Sequence, residues 1–367
     1  MRVVVVGGGV LGTMHAREAV RRGHDVLQIE REAEARGASV RNFGLVWVSG
    51  RSDGAEIECA QRARDLWAEV PGISFRPHGS LTVCRTEAEL AVAKEAAARP
   101  DAVQRGFQVL DAEQTRERNP ALQGELQGSL WCARDAIVEP REVLPALRQE
   151  LEKSGRYQFL GGREVRTVDS GELTDDHHET HSADLVFLCT GAWHSGLIRE
   201  LTEDLPVRRV RLQMMQTEPL DVQLTTAVAD ADSFRYYPAY AGPSVEALDP
   251  QAAIAKQHAM QLLMVQRTHG GLTIGDTHEY AEPFTFDVQS DPYEYLTATV
   301  ESILGRPMPK ITRRWAGVYS QATGTSGDGL VVRREVAQGV HLVTGPGGRG
   351  MTMSPAIAEM SFEEIDR

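Results

Sequence analysis

The chain has few cysteines, no long apolar run and no excess of basic residues, and each absence excludes a class of protein. Its 4 cysteines are scattered without a Cys-x-x-Cys pair, so we expect reduced thiols rather than a disulfide framework or a zinc site. No apolar stretch approaches the ~20 residues of a membrane helix, and the glycine-interrupted amino terminus lacks a signal-peptide cleavage site. The formal net charge of −13 argues against nucleic acid or an anionic membrane as a partner. We therefore expect a cytoplasmic protein without a membrane span.

The most informative motif is the glycine-rich turn Gly7-Gly8-Gly9-Val10-Leu11-Gly12, which follows the apolar segment Val3–Val6. Gly7 permits a tight turn, Gly9 permits close approach to a pyrophosphate, and Gly12 lets the following helix pack near the strand. Glu30 ends the next predicted strand, where a carboxylate can accept hydrogen bonds from a ribose diol. Strand, turn, helix, strand and acid in this order predict a dinucleotide site.

Two later segments extend this prediction. Thr190-Gly191-Ala192-Trp193 follows a buried strand, and its small residues allow backbone to pass close to a cofactor. Gly345–Gly350 is a glycine-rich loop that leads into the last helix, whose N–H groups would face an electron-rich atom. A flavin needs such donors where its pyrimidine ring gains charge on reduction, whereas a nicotinamide does not. The alternative for this loop is a simple helix cap.

In this order and spacing, the three segments resemble the FAD-dependent glycine/D-amino acid oxidase family, which includes sarcosine oxidases. The resemblance implies an α/β fold in which a Rossmann-like FAD-binding domain is interleaved with a smaller α+β substrate domain on an antiparallel or mixed sheet. The expected FAD-binding parts are residues 1–78, 135–207 and 311–367, and the substrate-binding parts are 79–134 and 208–310. Ser39–Gly44 matches the loop beside the pyrophosphate and flavin ring, and Val165 matches a residue whose backbone holds the adenine.

Motifs and resemblance together assign a set of residues to the cofactor. These are Gly7, Gly9, Val10, Leu11, Gly12, Glu30, Arg31, Ser39, Arg41, Asn42, Phe43, Gly44, Val165, Thr190, Gly191, Trp193, Gly347, Gly348, Arg349, Gly350, Met351, Thr352 and Met353. Sarcosine oxidases attach the flavin to a cysteine in the last third of the chain, but here none lies beyond Cys189. We therefore expect non-covalent FAD.

Several stretches are similar to a narrower branch of flavin oxidoreductases associated with phosphonate breakdown. They are Arg41–Gly44, Leu212–Met215, Gly275–Tyr280, Arg314–Tyr319 and Gly347–Thr352. The resemblance implies oxidation of an aminophosphonate related to 2-aminoethylphosphonate. In glycine-oxidase-like members an arginine two positions after Trp-Ala-Gly grips the substrate carboxylate, but this chain has Tyr319 there. A tyrosine donates one neutral hydrogen bond and cannot form a bidentate pair, so a plain α-amino acid is disfavoured.

The expected reaction is oxidation of a C–N bond by hydride transfer to flavin N5, followed by hydrolysis of the imine. The candidates for facing the substrate are His278, Tyr319 and Arg41, with Arg267 and Tyr280 behind them. Each has an ordinary alternative. Tyr280 would be part of a wall, Arg267 a surface charge, His278 a turn residue and Arg41 a cofactor contact only.

Other functions stay open at this point. A glycine, sarcosine or D-amino acid oxidase or dehydrogenase is the nearest alternative, and a flavin-holding subunit of a larger complex is one from another class. The expected partners are a small amine and either O2 or another electron carrier, for a monomer or homodimer. The histidine-rich segment His177–His181 has the composition of a metal cluster, but it lies in a polar loop, so we expect no metal.

Overall fold

The computed structural model describes residues 1–324 and 329–366. The strands within these ranges are β1 Arg2–Val6, β2 Asp25–Glu30, β3 Leu45–Val46, β4 Ser80–Cys84, β5 Phe107–Asp111, β6 Gly128–Cys132, β7 Ala136–Ile137, β8 Tyr157–Gly161, β9 Val165–Asp169, β10 Glu172–Asp175, β11 Thr180–Ser182, β12 Leu185–Leu188, β13 Val207–Pro219, β14 Ala227–Ala229, β15 Leu263–Gln266, β16 Gly271–Gly275, β17 Ile311–Ala322, β18 Val332–Ala337 and β19 Val340–Thr344. The helices are α1 Val10–Arg21, α2 Ala55–Ala68, α3 Glu87–Ala97, α4 Ala102–Arg105, α5 Ala112–Arg118, α6 Val143–Glu152, α7 Leu197–Leu201, α8 Asp232–Tyr236, α9 Pro243–Glu246, α10 Ala253–Gln257, α11 Asp291–Leu304 and α12 Gly350–Ile365.

The first large sheet has the strand order β18-β19-β12-β1-β2-β8. Its pairs are parallel except for β18 with β19, which are antiparallel. Val3, Val4 and Val5 are fully buried, as expected for a parallel strand covered on both faces. Helices α1, α2 and α12 share one core with this sheet, so the first and last elements of the described chain pack together.

The second large sheet has the strand order β17-β13-β16-β15-β14-β4-β6-β5. Its pairs are antiparallel except for β14 with β4, which are parallel. The buried side of α11 packs against this sheet through Leu296, Val300 and Ile303. The chain crosses between the two sheets repeatedly, which is the interleaved arrangement expected from the sequence.

Three features differ from what the sequence predicts. The alternation of apolar and polar residues from 261 to 275 indicates sheet, and the structure divides this stretch into two strands, β15 and β16, because the chain reverses at a turn where Gly270 adopts a φ of +90°. Strands β5, β14 and β18 and the short helices α8 to α10 have too little periodic signal to be found in advance. Ile311–Ala322, expected in the FAD-binding part, instead forms the edge of the second sheet beside β13. The other domain boundaries remain predictions.

Two properties of the described residues bear on the class of protein. All 4 cysteines are buried, and none of them forms a disulfide bond with another described residue. None of the helices in the described ranges combines the length and apolarity required to cross a bilayer.

Candidate active site

One cavity of about 960 Å³ connects the two sheets. At one end it is lined by the carboxyl ends of β1, β2 and β12, where parallel sheets bind their ligands. At the other end it is lined by residues of β13 and β17 and by the segments that flank them. We call these the dinucleotide end and the substrate end.

The glycine turn at the dinucleotide end is required by backbone packing. Gly7 has a φ of +116°, and a Cβ there would lie 2.3 Å from the carbonyl oxygen of Cys189. A Cβ on Gly12 would lie 2.2 Å from the carbonyl oxygen of Gly7, so α1 approaches the turn as closely as the motif predicts. Gly9 is the N-cap residue of α1 and provides no capping side chain. The start of this helix is therefore open to an anionic group from the cavity.

Two side chains from other segments complete this turn. The hydroxyl of Ser39 accepts a hydrogen bond from the backbone N–H of Val10 at 2.9 Å. Glu30 accepts from the backbone N–H of Gly8 at 2.6 Å and from that of Glu32 at 3.0 Å. Glu30 also lines the cavity, and its carboxylate retains further lone pairs, so its predicted contact with a ribose stays a prediction.

The loop at Ser39–Gly44 is shaped by Asn42 and Gly44. The Asn42 side chain donates to the carbonyls of Ala38 and Ser39 and accepts from the N–H of Gly44 at 2.7 Å. Gly44 has a φ of +71°, and a Cβ there would lie 2.0 Å from the carbonyl oxygen of Val138. Asn42 therefore holds the loop as well as lining the cavity.

A second glycine loop lies on the cavity between β19 and α12. Gly347 has a φ of +64°, and a single turn at Gly347–Arg349 leads into α12 at Gly350. The N-cap residue of α12 is Arg349, which makes no capping bond with its side chain. Gly347, Gly348 and the first residues of α12 line the cavity, so this helix also presents its amino-terminal end to it.

An ion-pair triad missed by the sequence analysis lies beside this loop. Glu56 Oε1 lies 3.6 Å from Arg51 Nη1 and 3.5 Å from Arg349 Nη1. Burial alone would raise the pKa of Glu56, but Arg51, the hydroxyl of Ser52 and Arg349 together lower it. Glu56 is thus ionised, and two guanidinium groups against one carboxylate leave a net positive charge of about one beside the cavity.

The substrate end holds a cluster of aromatic side chains. The His278 ring stacks on that of Tyr236 at 4.5 Å between centroids, and Tyr280 lies beyond His278 at 6.2 Å. Burial raises the pKa values of Tyr236, Tyr280 and Tyr319, so their hydroxyls are neutral near pH 7. A Cβ built on Gly348 would lie 3.8 Å from the Tyr319 hydroxyl, which places this cluster next to the second glycine loop.

Asp276 and Gln261 are further residues of the substrate end that sequence reasoning did not select. Both line the cavity and are buried, with 4% and 2% of their surface exposed. Asp276 Oδ1 and Gln261 Oε1 have no hydrogen-bond partner among the described residues. Burial raises the pKa of Asp276 to about 6, with His278 opposing the shift. The Gly275–Tyr280 stretch was noted for its resemblance, but nothing in it shows that Asp276 would be buried.

Most of the predicted cofactor residues line the cavity. They are Gly7, Gly9, Val10, Leu11, Glu30, Arg31, Ser39, Arg41, Asn42, Phe43, Val165, Thr190, Gly191, Trp193, Gly347, Gly348, Arg349, Gly350, Met351 and Thr352. The exceptions are Gly12, Gly44 and Met353. The two glycines serve backbone packing, and Met353 is fully buried in the core between α12 and the first sheet.

Four of the five predicted substrate residues, His278, Tyr319, Arg41 and Tyr280, line the cavity as well. Arg267 does not, and it is not the surface charge of the alternative either. It is buried, donates to the carbonyl of Phe43 at 2.7 Å and lies 3.5 Å from Glu139. Arg267 therefore supports the Ser39–Gly44 loop from behind.

The histidine-rich segment His177–His181 was expected to be a polar loop, but its last two residues belong to β11. Asp175 accepts hydrogen bonds from the N–H groups of His177 and Glu179 and from the ring of His181. Asp175, Glu179 and His181 bring ligand atoms within 4.8 Å of one another. Arg163 forms ion pairs with both carboxylates, so this group is already compensated by a cation.

The cavity fits a flavin dinucleotide. Two helices of 12 and 16 residues direct amino-terminal ends at it, and glycines leave space where a Cβ would intrude. A net positive triad lies beside the second helix, where an electron-rich ring would need it. Each of these features favours a dinucleotide whose second half becomes negatively charged.

The comparisons with known proteins agree. Residues 2–363 match the family model described as FAD dependent oxidoreductase, DAO. The chain is 25% identical to one of the subunits of opine oxidase from Rhizobium meliloti over 59% of this chain and 63% of that protein. It is 24% identical to glycine oxidase of Geobacillus kaustophilus over 62% and 64%. The matched segments thus span less than two thirds of these relatives.

Solved structures show the same fold. Glycine oxidase from Bacillus cereus superposes with a TM-score of 0.78 at 17% identity, covering 100% of this chain and 94% of that one. L-proline dehydrogenase from P. horikoshii gives 0.78 at 21% identity, covering 99% and 92%. The expected fold is confirmed. The chain belongs to the family of FAD-dependent oxidoreductases, and FAD is its cofactor.

Proposed function

We propose that this protein oxidises the C–N bond of a small amine, and that the amine carries a phosphonate group related to that of 2-aminoethylphosphonate. The observation that supports amine oxidation is the single cavity in which the FAD-binding loops adjoin the cluster of Tyr236, Asp276, His278 and Tyr319. Relatives named glycine oxidase, opine oxidase and D-amino acid dehydrogenase support the same class of substrate.

FAD, when bound, supplies the acceptor for a hydride from the carbon next to nitrogen. The chain's own residues hold the amine in place and exclude water at the buried substrate end. The positive triad of Arg51, Glu56 and Arg349 and the start of α12 stabilise negative charge that develops on the cofactor. We further propose that FAD is held without a covalent bond.

The proposal of an anionic substrate rests on Arg41 and Tyr319. The Cβ of Arg41 lies 3.3 Å from the position that a Cβ on Gly317 would take. Gly317 and Tyr319 are two residues apart on β17, so they share one face of the strand. Arg41 donates to the carbonyls of Arg36 and Ala316, and no carboxylate among the described residues forms an ion pair with it. Its positive charge is therefore available to a substrate anion in the cavity.

The second candidate is oxidation of glycine, sarcosine or a D-amino acid, which the names of several relatives favour. Against it, the position two residues after Trp315-Ala316-Gly317 is a neutral tyrosine. In our proposal, a substrate carboxylate would therefore have to bind Arg41 instead of residue 319. A role as a flavin-holding subunit is the third candidate, suggested by the opine oxidase relatives, which are themselves named as subunits.

Anaerobic bleaching of the flavin band near 450 nm separates these candidates. The panel is 2-aminoethylphosphonate, its 1-hydroxy and N-methyl forms, glycine, sarcosine and D-alanine. We expect bleaching by at least one aminophosphonate at concentrations at which the amino acids do nothing. Bleaching by sarcosine or D-alanine alone would exclude the phosphonate proposal, and no bleaching by any amine would favour a cofactor-holding role.

A further inference from the structure

Two buried hydrogen-bond acceptors at the substrate end have no donor among the described residues. These acceptors are Asp276 Oδ1 and Gln261 Oε1. The backbone N–H of Asp276 donates to the carbonyl of Gln261 at 3.0 Å, so the two residues are neighbours on adjacent segments of the chain. Buried polar atoms in folded proteins nearly always have a partner. Two orphans of the same kind, both lining one cavity, indicate that a ligand supplies the donors.

The surroundings decide what kind of donor fits. The Gln261 Nε2 atom already donates to the Tyr237 hydroxyl at 3.3 Å, which leaves Oε1 as the free end of the amide. The His278 Nδ1 atom must carry a hydrogen, because it contacts the carbonyl of Ala259 at 2.9 Å. His278 Nε2 lies 3.8 Å from Asp276 Oδ2, too far for a hydrogen bond, so this histidine does not satisfy the carboxyl group.

A hydroxyl group has one hydrogen and would leave one acceptor unpaired, whereas a primary or secondary ammonium has at least two and carries a positive charge. No guanidinium or ammonium among the described residues forms an ion pair with Asp276. A cation that fits between Asp276 and Gln261 would therefore satisfy both acceptors and compensate the buried charge.

We propose that Asp276 and Gln261 bind the ammonium group of the substrate and thereby select amines over alcohols of the same shape. The bound ammonium gives one proton to the carboxylate of Asp276 before the neighbouring carbon loses its hydride, so the nitrogen is neutral when the C–N bond is oxidised. The proposal rests on the proposed function, because it places the reacting amine at the substrate end. It also separates the two charges of the substrate. The ammonium lies at Asp276, and the anion lies at Arg41.

The test measures binding without turnover, using amines that have no hydrogen on the carbon bearing nitrogen. Each amine is paired with its hydroxyl counterpart: 2-amino-2-methylpropylphosphonate with 2-hydroxy-2-methylpropylphosphonate, 2-aminoisobutyrate with 2-hydroxyisobutyrate, and tert-butylamine with tert-butanol. The dissociation constant of each is obtained from the perturbation of the flavin spectrum of the holoenzyme. We expect at least one pair to show an amine preference of about tenfold or more.

The variant Asp276→Asn keeps the size of the side chain and removes its charge. We expect it to lower the amine preference to about threefold or less while the affinity for the hydroxyl compound changes little. Glu200→Gln is the matched control, because Glu200 is an exposed acid on the same cavity and its removal changes the net charge equally. The control should keep the preference. An unchanged preference in Asp276→Asn, or none in the unmodified protein, overturns the proposal.

A pH series on the unmodified protein gives a test that needs no variant. The amine preference should fall between pH 7.5 and 5, because Asp276 gains a proton in this range. The other titratable groups that face Asp276 are His278 and the tyrosines Tyr236, Tyr237, Tyr280 and Tyr319. The tyrosines remain neutral, and repeating the series in His278→Asn removes the histidine. A preference that does not change with pH in both proteins contradicts the proposal.

The outcomes also separate this inference from the proposed function. If the oxidisable amines fail to bleach the flavin but the amine preference depends on Asp276, the function fails and the ammonium site stands. If an amine bleaches the flavin and Asp276→Asn leaves the preference unchanged, the function stands and the ammonium site is wrong.

Discussion

The two ends of the cavity are built in different ways. The dinucleotide end consists of backbone turns whose hydrogen bonds are made by neighbouring segments, as Ser39 and Glu30 show for the first glycine turn. The substrate end consists of side chains from several distant segments, with acceptors of Asp276 and Gln261 left unpaired. The cofactor is thus met by backbone geometry that the fold fixes, whereas the substrate is met by side chains that can be replaced at less cost to the fold.

A substitution in the glycine turn at the dinucleotide end should have the largest effect on stability and on bound FAD. In Gly12→Ala, the new Cβ would lie 2.2 Å from the backbone oxygen of Gly7, and neither element can move without disturbing the first sheet. We expect a loss of about 3 kcal/mol of stability and little bound FAD. The measurements are FAD content by absorbance and thermal unfolding.

The control for this change is Gly37→Ala. A Cβ on Gly37 meets nothing within 4 Å, and its φ of −82° suits any residue. It should retain the stability of the unmodified protein, and only stability is compared because Gly37 itself lines the cavity. If Gly12→Ala behaves in the same way, close backbone packing at the turn is not what holds the cofactor site together.

At the substrate end, Arg41→Gln should raise the KM for 2-aminoethylphosphonate about tenfold, because one charged hydrogen-bonding partner of the anion is lost. The KM for ethylamine, which has no anion, should change little. Arg36→Gln is the matched control, since Arg36 also lines the cavity but pairs with Glu34. Equal losses for both amines would mean that Arg41 serves the cofactor only.

Between the two ends, Arg349→Leu should weaken sulfite binding by the oxidised holoenzyme about tenfold, because the positive triad would lose one of its two guanidinium groups. Arg349→Lys keeps the charge but not the hydrogen bonds to the carbonyls of Pro346, Gly329 and Leu330. Sulfite affinity retained in the lysine variant assigns the effect to charge. Affinity lost equally in both assigns it to the shape of the loop.

A further effect, comparable in size to the two before it, is expected on stability. The pKa of Asp276 rises from 3.8 to about 6 on folding, so the native state binds more protons than the unfolded state between these values. Its burial therefore costs stability as pH rises, and the full cost is present above about pH 6. We expect Asp276→Asn to be more stable than the unmodified protein by about 1–3 kcal/mol at pH 8 and nearly equal to it at pH 4.

Asp135 supplies the contrast for this prediction. It is also buried, and burial raises its pKa too, but unlike Asp276 it accepts hydrogen bonds from the backbone of Val48 and Ser49 and from the hydroxyls of Ser49 and Ser80. Asp135→Asn should therefore lower the unfolding temperature at pH 8. A gain in stability for both variants, or for neither, would show that unpaired acceptors are not what distinguishes Asp276.

The same division explains how much the sequence could predict. The roles of Gly7 and Gly12 follow from local geometry, so they could be read from a motif of six residues. The pairing of Asp276 with Gln261, and of Arg51 and Arg349 with Glu56, depends on contacts between remote segments, which no local pattern encodes. Arg267 shows the reverse case, a residue predicted near the substrate that instead supports a loop. The sequence around an arginine does not indicate whether the side chain faces a cavity or packs behind a loop.

The packing of α12 against α1 has a consequence for biosynthesis. The first glycine turn leaves the ribosome before the second glycine loop, because residues 345–352, which line the same cavity, are made more than 330 residues after it. FAD can be enclosed only after the last strand and helix have joined the first sheet. Ribosome-bound chains halted before Gly345 should therefore retain no FAD, and cofactor capture should follow the synthesis of both glycine loops.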